Sequence, residues 1–231
     1  MGYTIEKHKI SKSDAWFVQF DSPTNYPKLV ATISPIKKYA NFYRNKIIIN
    51  AGLFNTFSQE PNGQVIIDKL TINDGIVEDD MGAKINNEEC YPLVVDNNIM
   101  KILAPNRFSV LNSVENLKQY QYSVCGWGLV IYNGADAKLY EKEIRWGKAK
   151  KARQIVGYKK NNHPFILTCR NAKYIDIVNF LLENDVEFAY SLDGGRSTKL
   201  FIDGKQINSF TFGSKGRKYI PTLLEFDISE R

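Results

Sequence analysis

The chain has 231 residues, of which 43% are hydrophobic and 24% are charged; this composition excludes an intrinsically disordered chain and allows a substantial core. The net charge of +6 favours anionic ligands such as phosphorylated metabolites, anionic glycans or nucleic acid. No apolar run is long enough to cross a bilayer. The three cysteines, Cys90, Cys125 and Cys169, lack C-x-x-C spacing, and we expect buried free thiols.

Short apolar segments alternate with Gly, Asn, Asp and Pro, so strands are expected to dominate. The predicted strands are residues 15–20, 46–49, 65–67, 92–95, 99–103, 128–132, 154–158, 164–168, 188–192 and 200–202. Helices are predicted over residues 34–43, 110–120 and 174–184, the last with an apolar face of Ile175, Val178, Phe180, Leu181 and Leu182. The pattern predicts a mixed α/β (α+β) fold, with a strand-rich mixed sheet and a few flanking helices.

The most informative segment begins where the strand 188–192 ends. It reads Asp193, Gly194, Gly195, Arg196, Ser197 and Thr198. Two glycines let the backbone turn sharply and approach a ligand closely, and exposed amides with an arginine are suited to holding phosphate. The alternative is a glycine-rich turn capped by the Asp193 side chain.

A second strand, 46–49, is followed by Asn50, Gly52 and Phe54. The Asn50 amide is suited to orienting a sugar hydroxyl or a carboxylate, and Phe54 or Phe57 to stacking on a ring. The alternative is a strand end that requires a glycine for its conformation.

Two further segments carry candidate site residues. Arg153 opens the strand 154–158, either as a phosphate ligand or as a surface ion-pair residue. Trp127 lies between Gly126 and Gly128, either in a packed bulge or as a platform for a sugar ring. The densest basic run, residues 148–153, is either a solvated strand edge or a rim that attracts anions.

In this order the four segments resemble the phosphodiester glycosidase family. The shared pattern is strand-Asn-x-Gly-x-Phe, Gly-x-Gly-Leu, Ala-Arg-x-x-x-Gly and Leu-Asp-Gly-Gly-x-Ser-Thr, within residues 46–226. Residues 91–96 and 217–221 are similar to the family's hairpin strand and its closing Arg-x-x-x-Pro segment. The chain departs from the family at Ala51, Leu53 and Arg196, where Gly, Phe and Gly are usual. We expect one domain over residues 1–231, with residues 1–45 packed on the family region.

The resemblance implies a hydrolase that cleaves the bond between an anomeric carbon and a phosphodiester oxygen. Asp193 would be the catalytic carboxylate, and Arg153 would hold phosphate. Asn50 would be the third catalytic residue and would orient the sugar or water. The implied substrate contacts come from Gly52, Phe54, Trp127, Gly194, Gly195, Arg196, Ser197 and Thr198. The altered segments leave an alternative open, a non-catalytic binding module for a phosphorylated glycan or a nucleotide-derived ligand.

The expected partner is a small molecule or glycan that bears phosphate. No nucleic-acid module is recognisable, so we do not expect nucleic acid as a partner. No cofactor or metal site is expected, although Asp79 and Asp80 are a candidate Ca²⁺ pair. Without a signal-peptide pattern, and with a Lys-, Asn- and Ile-rich composition, we expect a cytoplasmic protein or part of a phage particle from a low-GC host.

Overall fold

A computed structural model describes residues 2–23, 27–31, 36–52, 54–59, 65–67, 71–73, 76–79, 92–96, 99–102, 122–137, 149–208, 220 and 222–228. The strands in chain order are β1 (Tyr3–Ile10), β2 (Ser13–Phe20), β3 (Lys28–Ala31), β4 (Lys46–Asn50), β5 (Phe54–Gln59), β6 (Val65–Ile67), β7 (Thr71–Asn73), β8 (Ile76–Asp79), β9 (Pro92–Asp96), β10 (Ile99–Ile102), β11 (Tyr122–Cys125), β12 (Gly128–Tyr132), β13 (Ala135–Asp136), β14 (Lys151–Lys159), β15 (Pro164–Ala172), β16 (Val186–Ser191), β17 (Leu200–Ile202), β18 (Lys205–Gln206) and β19 (Thr222–Asp227). The described helices are α1 (Ile36–Phe42) and α2 (Tyr174–Glu183).

The strands form three larger sheets and one two-stranded ladder, β5-β6. Sheet 1 has the order β1-β2-β15-β14-β16-β12-β13, sheet 2 the order β18-β17-β4-β19-β3, and sheet 3 the order β10-β9-β11-β7-β8. Every pairing among the described residues is antiparallel.

The predicted mixed sheet is therefore corrected, and the fold is richer in β-structure than an α/β fold. A mixed sheet would require some strand pairs to be parallel, and the strands β15 and β16 that flank α2 run in the same direction. In the structure β14 lies between β15 and β16 and is antiparallel to both, so the two strands that flank the helix never pair with each other.

Sheets 1 and 2 pack face to face through one apolar core. Val156 of β14 contributes from sheet 1, and Ile49 of β4 and Leu224 of β19 contribute from sheet 2. Phe20 of β2 stacks on Phe226 of β19 with ring centroids 4.9 Å apart. Helix α2 covers the outer face of sheet 1 and α1 covers the outer face of sheet 2, so the layers are helix, sheet, sheet and helix.

Each predicted strand overlaps an observed strand. Strand β1 was not predicted because most of its side chains are exposed at the edge of sheet 1 and show no alternation. The hairpin β17-β18 turns at Asp203 (φ 48°) and Gly204 (φ 77°), as the Asp-Gly pair predicts.

Helix α2 confirms the predicted helix at 174–184, but its buried face is rotated. The buried residues are Tyr174, Ile177, Val178 and Leu181, which follow the i, i+3, i+4, i+7 spacing of one helical stripe. Ile175 and Leu182, predicted to be on the apolar face, are exposed. Helix α1 confirms part of the helix predicted at 34–43, whose first two residues lie outside the described residues, as does the whole segment 110–120.

Candidate active site

The candidate site lies where the ends of sheets 1 and 2 meet. The end of β16 is fixed to the start of β14 because Leu192 N–H donates to the carbonyl of Gln154 at 2.9 Å. One residue further on, Asp193 N–H donates to the carbonyl of Ala51, which follows β4 in sheet 2, at 3.0 Å. Asp193 is therefore attached by its backbone to both sheets.

Asn50 holds both ends of the segment 193–199, which we call the Asp193 loop. Its Nδ2 donates to the carbonyl of Asp193 at 2.7 Å, and its Oδ1 accepts from Lys199 N–H at 3.0 Å. The side chain is fully buried. The sequence interpretation gave the Asn50 amide to a sugar or a carboxylate, whereas both of these hydrogen bonds go to the loop backbone.

Two residues near the loop were missed by the sequence interpretation. Asn208 accepts from Leu200 N–H at 2.7 Å and donates to the carbonyl of Thr198 at 3.0 Å, so a second amide fixes the end of the loop. Lys199 is only 6% exposed, and burial lowers the pKa of its amine. The only sequence signal for either was proximity to the loop motif and to the Asp203–Gly204 turn.

Asp193 is half-buried, and its Oδ1 accepts a hydrogen bond from Gly194 N–H at 2.8 Å. This bond goes to the next residue, whereas an Asx cap accepts from the N–H two residues further on, so the cap of the turn interpretation stays a prediction. The Gly194 amide, predicted to contact substrate phosphate, is used by the carboxylate instead.

The two glycines of the loop have different surroundings. A Cβ at Gly194 would lie 2.7 Å from the carbonyl oxygen of Ala152, so this glycine lets the loop lie directly against the start of β14. Gly195 has φ +63°, and no atom lies within 4 Å of the position of a Cβ. Gly195 is exposed, so the loop opens to solvent at this residue.

Arg153 lies near the Asp193 loop at the start of β14, because a Cβ on Gly194 would lie 3.9 Å from the Arg153 Cα. In the β14–β16 ladder Ile155 is opposite Ser191, and extending this register by two residues places Arg153 opposite Asp193. Arg153 is 4% exposed, which removes the surface ion-pair interpretation. In the β14–β15 ladder Arg153 is opposite Cys169. Burial raises the pKa of the Cys169 thiol to about 12, although the positive charge of Arg153 opposes this shift.

Trp127 lies beside the site, immediately before β12. Its backbone N–H donates to the carbonyl of Ser191 at 2.7 Å, and the residue is half-buried. A Cβ on Gly126 would lie 2.4 Å from the same Ser191 oxygen, so this glycine is required by packing against the end of β16. The packing of Gly126 supports the bulge, and the role of the half-buried Trp127 as a platform for a sugar ring stays a prediction.

The hydroxyl residues of the loop lie beneath its surface. Ser197 and Thr198 are buried, and residues 195–197 form one 3₁₀ turn that leaves Arg196 exposed. Oγ1 of Thr198 is buried and makes no hydrogen bond within the described part of the chain. This oxygen is thus available to a ligand or water that enters the loop.

The other predicted site residues, Gly52, Phe54 and Phe57, follow the end of β4. Gly52 is buried, and its N–H donates to Oγ1 of Thr222 at 3.1 Å, which links the end of β4 to the start of β19. Phe54 begins β5 and Phe57 lies within it, but their side chains are outside the described part of the structure.

The described residues contain no group of three or more His, Cys, Asp or Glu side chains that could hold a metal ion. Of the Ca²⁺ candidates, Asp79 ends β8 and Asp80 lies outside the described residues. Cys169 is a buried free thiol, as predicted; Cys90 and the side chain of Cys125 lie outside the description. No helix in the described ranges is long and apolar enough to cross a membrane.

Comparison with known proteins places this fold in one class. The family model for phosphodiester glycosidases matches residues 43–226. The catalytic domain of zebrafish N-acetylglucosamine-1-phosphodiester alpha-N-acetylglucosaminidase, auto-inhibited by its pro-peptide, has a similar structure, with a TM-score of 0.70 and 15% sequence identity over 100% of this chain and 83% of that one. No sequence among the curated proteins matches the chain.

Two bacterial structures are also similar. A Synechocystis protein has a TM-score of 0.62 and 14% identity over 98% of this chain and 62% of its own. A Burkholderia pseudomallei protein has a TM-score of 0.60 and 11% identity over 93% of this chain and 74% of its own. At these identities the likeness shows the fold. The family-model match covers most of the chain, and the protein therefore belongs to the phosphodiester glycosidase family.

Proposed function

We propose that this protein hydrolyses a sugar phosphodiester at the bond between the anomeric carbon and the phosphodiester oxygen. The observation that carries the proposal is the placement of Asp193. The residue is fixed through its backbone where the ends of sheets 1 and 2 meet, in a loop that lies against the start of β14, near Arg153, and opens to solvent at Gly195.

The chemistry suits a site with one carboxylate in this position. Water adds to the anomeric carbon, and the bond to the phosphodiester oxygen breaks with its electron pair remaining on phosphate. The leaving group is a phosphomonoester, a weak base that departs without much protonation. Ordinary glycoside hydrolysis divides this work between two carboxylates, whereas here a general acid is less necessary. Asp193 would activate the water or stabilise the oxocarbenium-like transition state.

Positive charge and backbone dipoles would hold the phosphate. Arg153 is proposed as the main contact because a buried guanidinium attracts an anion more strongly than an exposed one. Arg196, exposed on the same loop, and the backbone at Gly195 would add contacts from the open side. Thr198 Oγ1 would orient the water or the sugar, and Trp127 would border the ring.

Cleavage in water enriched in ¹⁸O tests the proposal. The purified protein would be incubated with nucleotide sugars, cyclic nucleotide signals and wall teichoic acid, and the products weighed by mass spectrometry. We expect the label on the anomeric hydroxyl of the released sugar. Label on phosphate would show cleavage of a P–O bond and contradict the proposal. Stoichiometric binding without turnover of any compound would favour the non-catalytic binding module.

A further inference from the structure

One edge of sheet 1 carries both the candidate site and a row of basic residues. The strand order β2-β15-β14-β16-β12 brings to this edge the β1–β2 turn, the end of β15, the start of β14, the end of β16 and the start of β12. The start of β14, the end of β16 and the start of β12 form the site. The β1–β2 turn, the segment at the end of β15 and the start of β14 carry a group of cations that we call the basic edge: Lys12, Lys150, Lys151, Arg170 and Lys173.

Described contacts hold the basic edge together. Lys150 Nζ donates to the carbonyl of Ser11 at 3.1 Å, and Oγ of Ser11 accepts from Lys173 N–H at 2.8 Å. Lys12 follows Ser11 in the β1–β2 turn and is exposed with φ 65°. Three separate segments that carry these cations therefore meet at one serine, which the amine of Lys150 and the backbone of Lys173 both contact.

The basic edge continues into the site through β14. Lys151 is paired across the ladder with Ala172, next to Lys173, and Arg153 lies two residues further along β14. Burial and the nearby Arg153 charge both lower the pKa of Lys151, as expected when a cation is held close to another cation.

The acidic groups nearby do not balance this charge. Asp14, at the start of β2, forms ion pairs with Lys7 and Lys9, which lie further along β1. Asp176, in the first turn of α2, accepts a hydrogen bond from the Ser11 hydroxyl. Asp176 keeps its negative charge beside Ser11, and the three exposed lysines Lys12, Lys150 and Lys173 outnumber it, so counterions or an anionic ligand must offset the remaining positive charge.

We propose that the basic edge binds the continuation of the substrate beyond the cleaved bond, and that the substrate is a linear polymer whose repeating units are joined by phosphodiesters. This inference rests on the proposed function, because it takes the cleavage point to be at Asp193. A lone sugar phosphate presents one phosphate, which Arg153 and the Asp193 loop already accommodate. Neighbouring strands are about 4.8 Å apart, so the edge runs about 15 Å from the β1–β2 turn to the Asp193 loop. That length allows further phosphates of an extended chain to follow the lysines.

The test compares substrates of different length with two matched charge variants. The substrates are a single glycosyl-1-phosphodiester and a four-repeat oligomer of the same unit. The edge variant is Lys12→Glu, Lys150→Glu and Lys173→Glu. The control variant is Lys37→Glu, Lys160→Glu and Lys205→Glu, which are exposed lysines away from this edge. Each triple replaces three positive side chains with three negative ones, which lowers the net charge from +6 to 0 in both variants.

We expect the edge variant to raise KM for the oligomer about tenfold or more, and to leave kcat and the single-repeat KM within about twofold. The control variant should change the oligomer KM much less, and added salt should reduce the difference between the two. Equal losses in both triples, or no dependence of KM on substrate length in the unmodified protein, would overturn the proposal.

Binding of inorganic polyphosphate separates failure of this proposal from failure of the proposed function. If no substrate is turned over, the cleavage proposal fails, but the edge variant must still lose polyphosphate affinity while the control variant keeps it. Equal polyphosphate affinity in both triples would overturn the basic edge as a polyanion surface. Tighter binding of a single-stranded DNA oligonucleotide with the same number of phosphates would identify the surface as one for nucleic acid and would also overturn the proposal.

Discussion

At the scale of single residues, Asp193 is held by its backbone more than by its side chain. Its N–H is bound by Ala51, its carbonyl by Asn50, and its Oδ1 by Gly194 N–H. Folding thus fixes the position of the carboxylate before any ligand binds, and electrostatic catalysis requires such a preorganised group.

Arg153→Ala should weaken binding of a sugar-1-phosphate far more than binding of the free sugar. A charge-assisted contact contributes about 1.5–3 kcal/mol, which corresponds to roughly a 10- to 100-fold increase in Kd. Calorimetric titration with both ligands measures the difference, and the melting temperature reports any packing defect caused by emptying a buried site. Equal loss of affinity for the two ligands would make Arg153 structural.

Gly195→Ala separates backbone strain from blocked access. Gly195 and Gly134 have nearly the same positive φ, 63° and 68°, and Gly134 lies outside the site in the turn after β12. An alanine at either position should cost about 1 kcal/mol of unfolding free energy. Only the change at Gly195 should also reduce kcat/KM. Full activity of Gly195→Ala would show that no ligand approaches the loop at this residue.

The residue types of the site could be predicted from the sequence, but several of their contacts could not. A carboxylate after a strand and before two glycines is a local pattern, and Asp193 lies in the exposed turn that this pattern indicates. The partner of the Asn50 amide is 143 residues away in the sequence. Such a contact depends on how two sheets meet, which no local window contains.

At the scale of elements, the Asp193 loop connects β16 of sheet 1 to β17 of sheet 2. Asn50, the last residue of β4, bridges the loop by contacting both ends of it. The loop geometry is therefore a property of three strands, and the buried Asn50 amide is the side chain that contacts both ends of the loop.

Asn50→Asp tests this bridge with almost no change in shape. The retained Oδ1 would still accept from Lys199 N–H, but the new oxygen, which replaces Nδ2, would face the carbonyl of Asp193 in place of a donor. We expect a loss of about 1–3 kcal/mol of unfolding free energy and a larger loss in kcat than in KM. Unchanged kcat in a destabilised protein would mean that Asn50 supports the fold without positioning Asp193.

Gly157→Ala should strongly destabilise the fold. A Cβ at this position of β14 would lie 1.9 Å from the carbonyl oxygen of Phe188 and 2.9 Å from the Phe165 ring. Because the carbonyl belongs to the backbone of β16, the overlap has no inexpensive relaxation, and we expect a cost of about 3 kcal/mol or more. Thermal unfolding of the variant measures it. A melting temperature within a few degrees of the unmodified protein's would contradict the close packing of β14 on β16.

Strand positions were predictable because alternating or continuous apolar segments bounded by turn residues are local signals. Strand order was not, because the insertion of β14 between β15 and β16 leaves no mark in either strand. The rotated face of α2 has a similar cause. Ile175 and Leu182 are as apolar as the buried residues, and only packing on sheet 1 selects among them.

At the scale of the whole molecule, two antiparallel sheets share a core, and their ends meet at one place. The four sequence segments that suggested the family come from three strands of sheet 1 and one strand of sheet 2. The charge of +6 predicted an anionic ligand but not its location. In the fold, part of this charge is gathered along the edge of sheet 1 that also carries Asp193.

The rate at which the Asp193→Asn variant hydrolyses a sugar phosphodiester decides whether Asp193 is the catalytic carboxylate. The amide keeps an oxygen that can accept from Gly194 N–H, so the loop and the melting temperature should stay nearly unchanged. Hydrolysis of the best sugar phosphodiester should be abolished while its binding is retained. A loss of activity of less than about tenfold, equivalent to about 1.4 kcal/mol of barrier, in a fully folded variant would remove Asp193 from the catalytic role and contradict this account.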